Sequence, residues 1–112
     1  MPIENWSDDV LLVEFSDDPQ FTDDMTALLE TVEKRNNLDV VLNFQNVSFL
    51  NSSNIAKLLR LRKLQIGTNH RRLRLCAINN HVWGVFLVTG LDKIFDVYND
   101  LASAMMSLQL KA

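Results

Sequence analysis

Residues 49–59 read FLNSSNIAKLL, and four small polar side chains, Asn51, Ser52, Ser53 and Asn54, stand where an apolar helical pattern begins. Two chemistries fit these residue types at such a place. Asn and Ser oxygens cap a helix by accepting from the free N–H groups of its first turn. A serine hydroxyl there is also open to another protein. Lys57, Arg60 and Lys63 follow as a basic stripe. The stripe suits an acidic partner surface or, alternatively, a nucleotide or other anion at the helix mouth.

Other chemistries lack their residues. The chain has three glycines, Gly67, Gly84 and Gly90, and none forms a phosphate-cradling loop or a nucleophile elbow. His70 and His81 lie far apart with Cys76 as the single cysteine, which is not a metal-ligand pattern. Both histidines are expected to be solvated, and Cys76 to act as a small apolar residue in a strand. No acid, base, nucleophile and orienting group occur together, so no enzyme, metal or cofactor is expected.

A chain of 112 residues fits one domain over 1–112 with a real core. The start, MPIENWSDD, is too polar for a signal peptide, and the apolar run HVWGVFLVTGL is too short to span a bilayer. With one cysteine and no internal disulfide, a cytoplasmic protein without membrane insertion is expected. Charge is unevenly placed: residues 1–39 hold eleven acidic and two basic side chains, and residues 40–74 hold seven basic and no acidic ones. Either the two segments neutralise each other in the fold or the basic one is an interaction surface. An acidic pI of about 5.2 and the lack of aromatic residues among the basic ones argue against nucleic acid.

The elements that must position the polar mouth follow from periodicity. VLLVEF (10–15) is a strand, closed by the turn residues SDDP. Thr22 is the expected N-cap of a helix whose apolar stripe is Met25, Leu28, Leu29 and Val32. LDVVLNF (38–44) reads as a strand buried on both faces. A helix over about 53–66 should bury Ile55, Leu58, Leu59 and Ile66 and stop at Gly67. A strand over 72–78, a short helix over 81–89 capped by Asn80 and stopped by Gly90, a strand KIFDVY and a helix begun by Asp100 complete the chain. Alternating strands and helices predict an α/β fold, with a largely parallel sheet and right-handed crossovers.

DVVLNFQNVSFLNSSNIAKLLRLRKL resembles the central motif of STAS domains, the family that contains bacterial anti-sigma factor antagonists, and LRLCAINNHVWGVFLVTGLDKIFDVYND follows the family's second half. The resemblance covers roughly residues 8–108. It implies a four- to five-stranded mixed, largely parallel sheet with helices mainly on one face. It also implies a non-enzymatic regulator that binds an anti-sigma factor with serine kinase activity through 51–63. The serine that such a kinase phosphorylates in this family matches Ser52. Two positions depart from the pattern: the family aspartate is Asn51 and the family glycine is Asn54. These changes favour the alternative of a STAS subunit that assembles constitutively and is not phosphorylated.

In the helix over 81–89, Val82, Val85 and Phe86 form the expected buried stripe, which leaves Trp83 and Leu87 together on another face. Two large apolar side chains one turn apart suggest a second interface, a homodimer seam or a further partner site. The alternative is that the segment around Ile3 and Trp6 folds over them.

Overall fold

The computed structural model describes residues 3–109. Five strands form one sheet in the order β1-β2-β3-β4-β5. They are β1 (Ile3–Ser7), β2 (Val10–Ser16), β3 (Asp39–Asn46), β4 (Leu73–Cys76) and β5 (Asp96–Tyr98). β1 runs antiparallel to β2, and the remaining neighbours are parallel. Each parallel step needs a crossover, supplied by α1 (Gln20–Lys34), α2 (Ser52–Arg62) and α3 (Asn80–Thr89). α4 (Leu101–Gln109) closes the described chain. This is the mixed, largely parallel α/β sheet that the sequence implies.

Strand alternation sorts the side chains. Leu11, Val13 and Phe15 of β2, Val40, Leu42 and Phe44 of β3, and Leu73 and Leu75 of β4 face the main core. Met25, Leu28 and Val32 of α1, Leu58 and Leu61 of α2, and Val82 and Phe86 of α3 cover them. The opposite residues, Val41 and Cys76, meet Ala104 and Leu108 of α4. Three helices therefore pack on one face and one on the other, and β3 is buried on both faces from Asp39 to Phe44. No helix among the described residues is long and apolar enough to cross a membrane.

Several elements differ from the sequence reading. β1 was not foreseen, because IENWS is a polar edge strand whose backbone pairing with β2 leaves four of its five side chains exposed. α1 starts at Gln20 rather than after Thr22, and β5 begins at Asp96 because Leu91–Lys93 forms a 3-10 turn. α2 is rotated relative to the expected stripe. Its inner face is Asn54, Leu58 and Leu61, continued by Gln65, while Leu59 and Ile66 are 39% and 36% exposed. The cause is polar: the buried Asn54 side chain bonds Asn51 and Asp18, and a π-helical turn over Lys63–Thr68 places Gln65 where its amide donates to the Leu38 and Arg72 carbonyls at 2.6 and 2.9 Å.

That turn lies beside an ion cluster at the start of β3 and β4. Buried Asp39 accepts from Arg72 N at 2.9 Å and from the Arg72 guanidinium at 2.8 and 3.2 Å, with Arg71 Nη2 at 3.2 Å. Burial pushes the Asp39 carboxyl up, but the Arg72 hydrogen bonds and the Arg71 and Arg72 charges outweigh it and hold it below its ordinary value. A depressed folded-state pKa stabilises above the unfolded value of about 3.9 and is lost as pH falls through the folded one. Asp39→Asn is expected to cost on the order of 2–3 kcal/mol at pH 7, less than a fully buried pair because both arginines are partly exposed. In urea titrations the gap between wild type and variant should shrink below about pH 4; a gap that stays constant down to pH 3 contradicts this role.

Candidate functional site

The loops after β2, β3 and β4 meet at the carboxyl ends of the parallel strands, and acidic residues of the first hold the second. Asp17 accepts from Ser48 N at 2.8 Å, from the Ser48 hydroxyl and from Phe49 N at 3.3 Å. Asp18 accepts from Thr22 N and Oγ1 at 2.9 and 2.7 Å, which caps α1 from outside it. The SDDP turn thus supplies the cap that Thr22 was expected to provide, and the Asp18–Pro19 peptide is cis. The other Asp18 oxygen accepts from Asn51 Nδ2 at 3.1 Å and Asn54 Nδ2 at 3.0 Å.

Asn51 and Asn54 also bond each other. Asn51 Oδ1 accepts from Asn54 N at 2.7 Å, and Asn54 Oδ1 accepts from Asn51 N at 3.1 Å. This is a reciprocal capping box with asparagine where Glu or Gln is usual. Asn54 is buried, so its side chain shapes the loop from inside. Its amide bonds Asp18 and the Asn51 backbone, so it supports the loop. From the third loop, Asn79 Nδ2 donates to the Val47 carbonyl at 2.7 Å, and Asn79 Oδ1 caps α3 at Val82 N. Asn79 therefore replaces Asn80 as the expected cap.

The two serines stand differently. Ser53 Oγ accepts from Lys57 Nζ at 3.0 Å. Ser52, the first residue of α2, is exposed, and its hydroxyl has no protein partner among the described residues. Thr22 and Asn54 side-chain donors hold the Asp18 carboxyl below its ordinary value, and the Ser48 hydroxyl does the same for Asp17. Both carboxylates stay charged at neutral pH and accept the loop's donors.

The basic run divides in two. Arg71 and Arg72 pair with Asp39, and Arg74 pairs with Asp96 at 3.0 Å. Lys57 and Arg60 line a groove against Thr26, Leu29, Glu30 and Glu33 of α1, so acidic and basic segments do lie side by side there. Lys63 is exposed at the end of α2. No cluster of three metal-ligating side chains occurs among the described residues.

Trp83 is only half exposed, packing on the core and stacking on Phe86 with centroids 6.1 Å apart. It borders a recess of about 350 Å³ with Ile78, Asn80, Val97, Tyr98 and Asn99. Leu87 is exposed. The pair expected to share one open face is thus split, since Trp83 turns toward the β5 edge. Trp6 does not cover it: β1 lies at the far edge of the sheet, and Trp6 borders Met105 and Leu108 of α4. Asp17, Asp18, Asn79 and Phe49 are the residues that the sequence reading passed over. The SDDP turn and an Asn just before an apolar helical pattern are the signals that could have marked the first three.

Asp18 and Asn54 should couple energetically. Asn54→Ala is expected to destabilise by about 1–2 kcal/mol through the lost cap and the unpaired Asn51 N–H. A double-mutant cycle with Asp18→Ala should give a coupling of about 0.5–1 kcal/mol by urea denaturation. Strict additivity contradicts the tether.

Among curated protein sequences, none matches the chain. Solved structures do. A Thermotoga maritima protein described as a candidate anti-sigma factor antagonist superposes with a TM-score of 0.82 at 19% identity, over 97% of this chain and 94% of that one. A variant of RsbS from Moorella thermoacetica gives 0.80 at 17% identity, over 96% and 93%. SpoIIAA of Bacillus in its phosphorylated form gives 0.72 at 15% identity, over 96% and 97%. These likenesses are of fold. The STAS domain family model matches residues 14–104. The match runs from the end of β2 into α4 and takes in the whole Ser52 platform, and the chain belongs to the STAS domain family.

Proposed function

We propose that the chain is a non-enzymatic regulator of the anti-sigma factor antagonist type, binding a kinase-type anti-sigma partner through residues 51–63 with Ser52 as its phosphorylation switch. The observation that carries this reading is the contrast between the serines: Ser53 is engaged by Lys57, and the exposed Ser52 hydroxyl has no partner among the described residues, at a helix mouth held by Asp17 and Asp18. Structures of similar fold are named as anti-sigma factor antagonists, one of them phosphorylated. The partner would bring ATP. Ser52 Oγ attacks the γ-phosphorus, the bond to the bridging oxygen breaks, ADP leaves, and the hydroxyl proton passes to a base on the kinase.

Direction follows from charge. A phosphate adds about −1.5 to −2 charges. The first turn of α2 accommodates it through its free N–H groups. The partner surface that had matched Lys57, Arg60 and Lys63 would then meet a negative group at its centre, and Asp18 nearby adds to that field. Repulsion and desolvation release the partner. Contact falls to Ser52, Ser53, Lys57, Arg60 and Lys63, with Asn51 and Asn54 holding the loop in shape. Such a protein would work in a bacterial cytoplasm, where the buried Cys76 thiol, pushed up to about 11 by burial, stays reduced and inert.

A second reading, constitutive assembly without phosphorylation, is favoured by Asn51, which leaves the Ser52 hydroxyl without an adjacent carboxylate from its own motif. Incubation with the cognate kinase and ATP, followed by mapping of the site, separates the two. The switch requires one phosphate on Ser52, absent from Ser52→Ala; phosphate on Ser53, or none, contradicts it. Ser52→Asp should weaken the partner complex about tenfold or more, and reversal of Lys57 and Arg60 to Glu should weaken it similarly. An unchanged Kd in calorimetry for Ser52→Asp favours constitutive assembly.

A further inference from the structure

We propose that the recess between α3 and the β5 edge is a binding site for a small, uncharged, planar aromatic molecule bearing an amide-like donor and acceptor. The inference stands apart from the Ser52 reading, and either can fail without the other.

Position is the first reason. Ile78 and Asn80 follow β4, Val97 and Tyr98 end β5, and Asn99 comes next, so the recess sits at the carboxyl ends of two neighbouring parallel strands. Open α/β sheets bind ligands at that end. The volume of about 350 Å³ falls at the low end of ligand sites, which span roughly 300–1,000 Å³, and suits one ring system. The chain leaves β4 through Ala77, whose φ of 59° lies in the left-handed region that a Cβ disfavours. Ala77 N donates to the Tyr98 carbonyl at 3.2 Å, which holds this turn against β5. Strained backbone of this kind clusters at ligand sites.

Floor and rim differ in chemistry. Ile78, Trp83 and Val97 are half-buried and pack on the main core, so they form an apolar floor. Trp83 is fixed by its stacking on Phe86, with 6.1 Å between centroids and 23° between planes. A ring already held in this way offers aromatic surface at little further cost in side-chain entropy. Asn80 and Asn99 border the same recess, are exposed and have no side-chain hydrogen-bond partner among the described residues. Their neighbour Asn79 differs, since its side chain is taken up by the Val47 carbonyl and Val82 N. Two uncommitted amides beside a tryptophan can meet the donor and acceptor of a flat ring while the ring packs on the indole.

Charge sets the ligand class. No charged side chain among the described residues borders the recess. The acidic residues nearest in sequence are engaged elsewhere, Asp96 with Arg74 at 3.0 Å and Asp100 with Ser103 N at 2.7 Å. An ionised ligand would lose hydration there and find no countercharge, so the site takes a neutral one.

The test is an NMR titration of the full-length 15N-labelled protein with benzamide, with benzoate and cyclohexanecarboxamide as matched probes. Benzamide should shift the Trp83 indole N–H and the Asn80 and Asn99 side-chain amides, saturating with a Kd of about 1–5 mM. The Trp6 indole N–H, on β1 at the opposite edge of the sheet, is the internal reference and should not move with them. Benzoate, which is charged, and cyclohexanecarboxamide, which has no aromatic ring, should each bind about fivefold more weakly or worse. Trp83→Leu should weaken benzamide binding about tenfold. Asn80→Ala combined with Asn99→Ala, both at exposed positions, should weaken it about threefold or more. If Trp83→Leu does not fold, the asparagine pair carries the test. No saturable shift at Trp83, equal shifts at Trp6, equal binding of either matched probe, or wild-type affinity in the asparagine variant overturns the proposal.

Discussion

The Asp18 carboxylate is the constraint on which the mouths of α1 and α2 depend. One oxygen caps α1 through Thr22, and the other gathers the amides of Asn51 and Asn54 at the mouth of α2. Two helix N-termini that follow different strands are thereby fixed to a single charged group. The cost of ordering this loop is met by donors that Asp17 and Asp18 satisfy together, so the exposed serine starts from a fixed backbone. Asn51 and Asn54 bond each other and the same carboxylate, so a negative charge stands within hydrogen-bond reach of both, on the loop after β2.

The sheet provides the frame for this arrangement. Parallel strands send their connecting loops to one end, so the segments after β2, β3 and β4 converge there. At the opposite end, Asp39, Arg71, Arg72 and Gln65 fix the start of β3 and β4. Charge is divided accordingly. Arg71, Arg72 and Arg74 form ion pairs with Asp39 and Asp96, while Lys57 and Arg60 of α2 border Glu30 and Glu33 of α1. The basic run that looks continuous in sequence is two groups with different work.

Apolar periodicity made most of this legible in the sequence. β2, β3, β4 and α1 have strong patterns, and tertiary packing follows them. The failures have particular causes. β1 is a polar edge strand held by backbone pairing, which composition does not report. The inner face of α2 was misread because its buried positions include Asn54 and Gln65, whose partners are distant in the chain. Asp18 was read as a turn residue, which it is, and nothing local shows a second role toward residues 33 and 36 places further on. Phe49 and the α3 surface were partly visible, but helical geometry alone could not tell which way Trp83 turns.

The most direct measurement of the central claim, that Asp18 holds the Ser52 loop in place, is amide hydrogen exchange in Asp18→Ala against wild type. Loss of the tether should lower protection about tenfold at both Thr22 and Asn54 while Leu42 in the central strand keeps its protection. Unchanged exchange at Asn54 beside faster exchange at Thr22 would show that the capping box stands without Asp18 and would contradict the account.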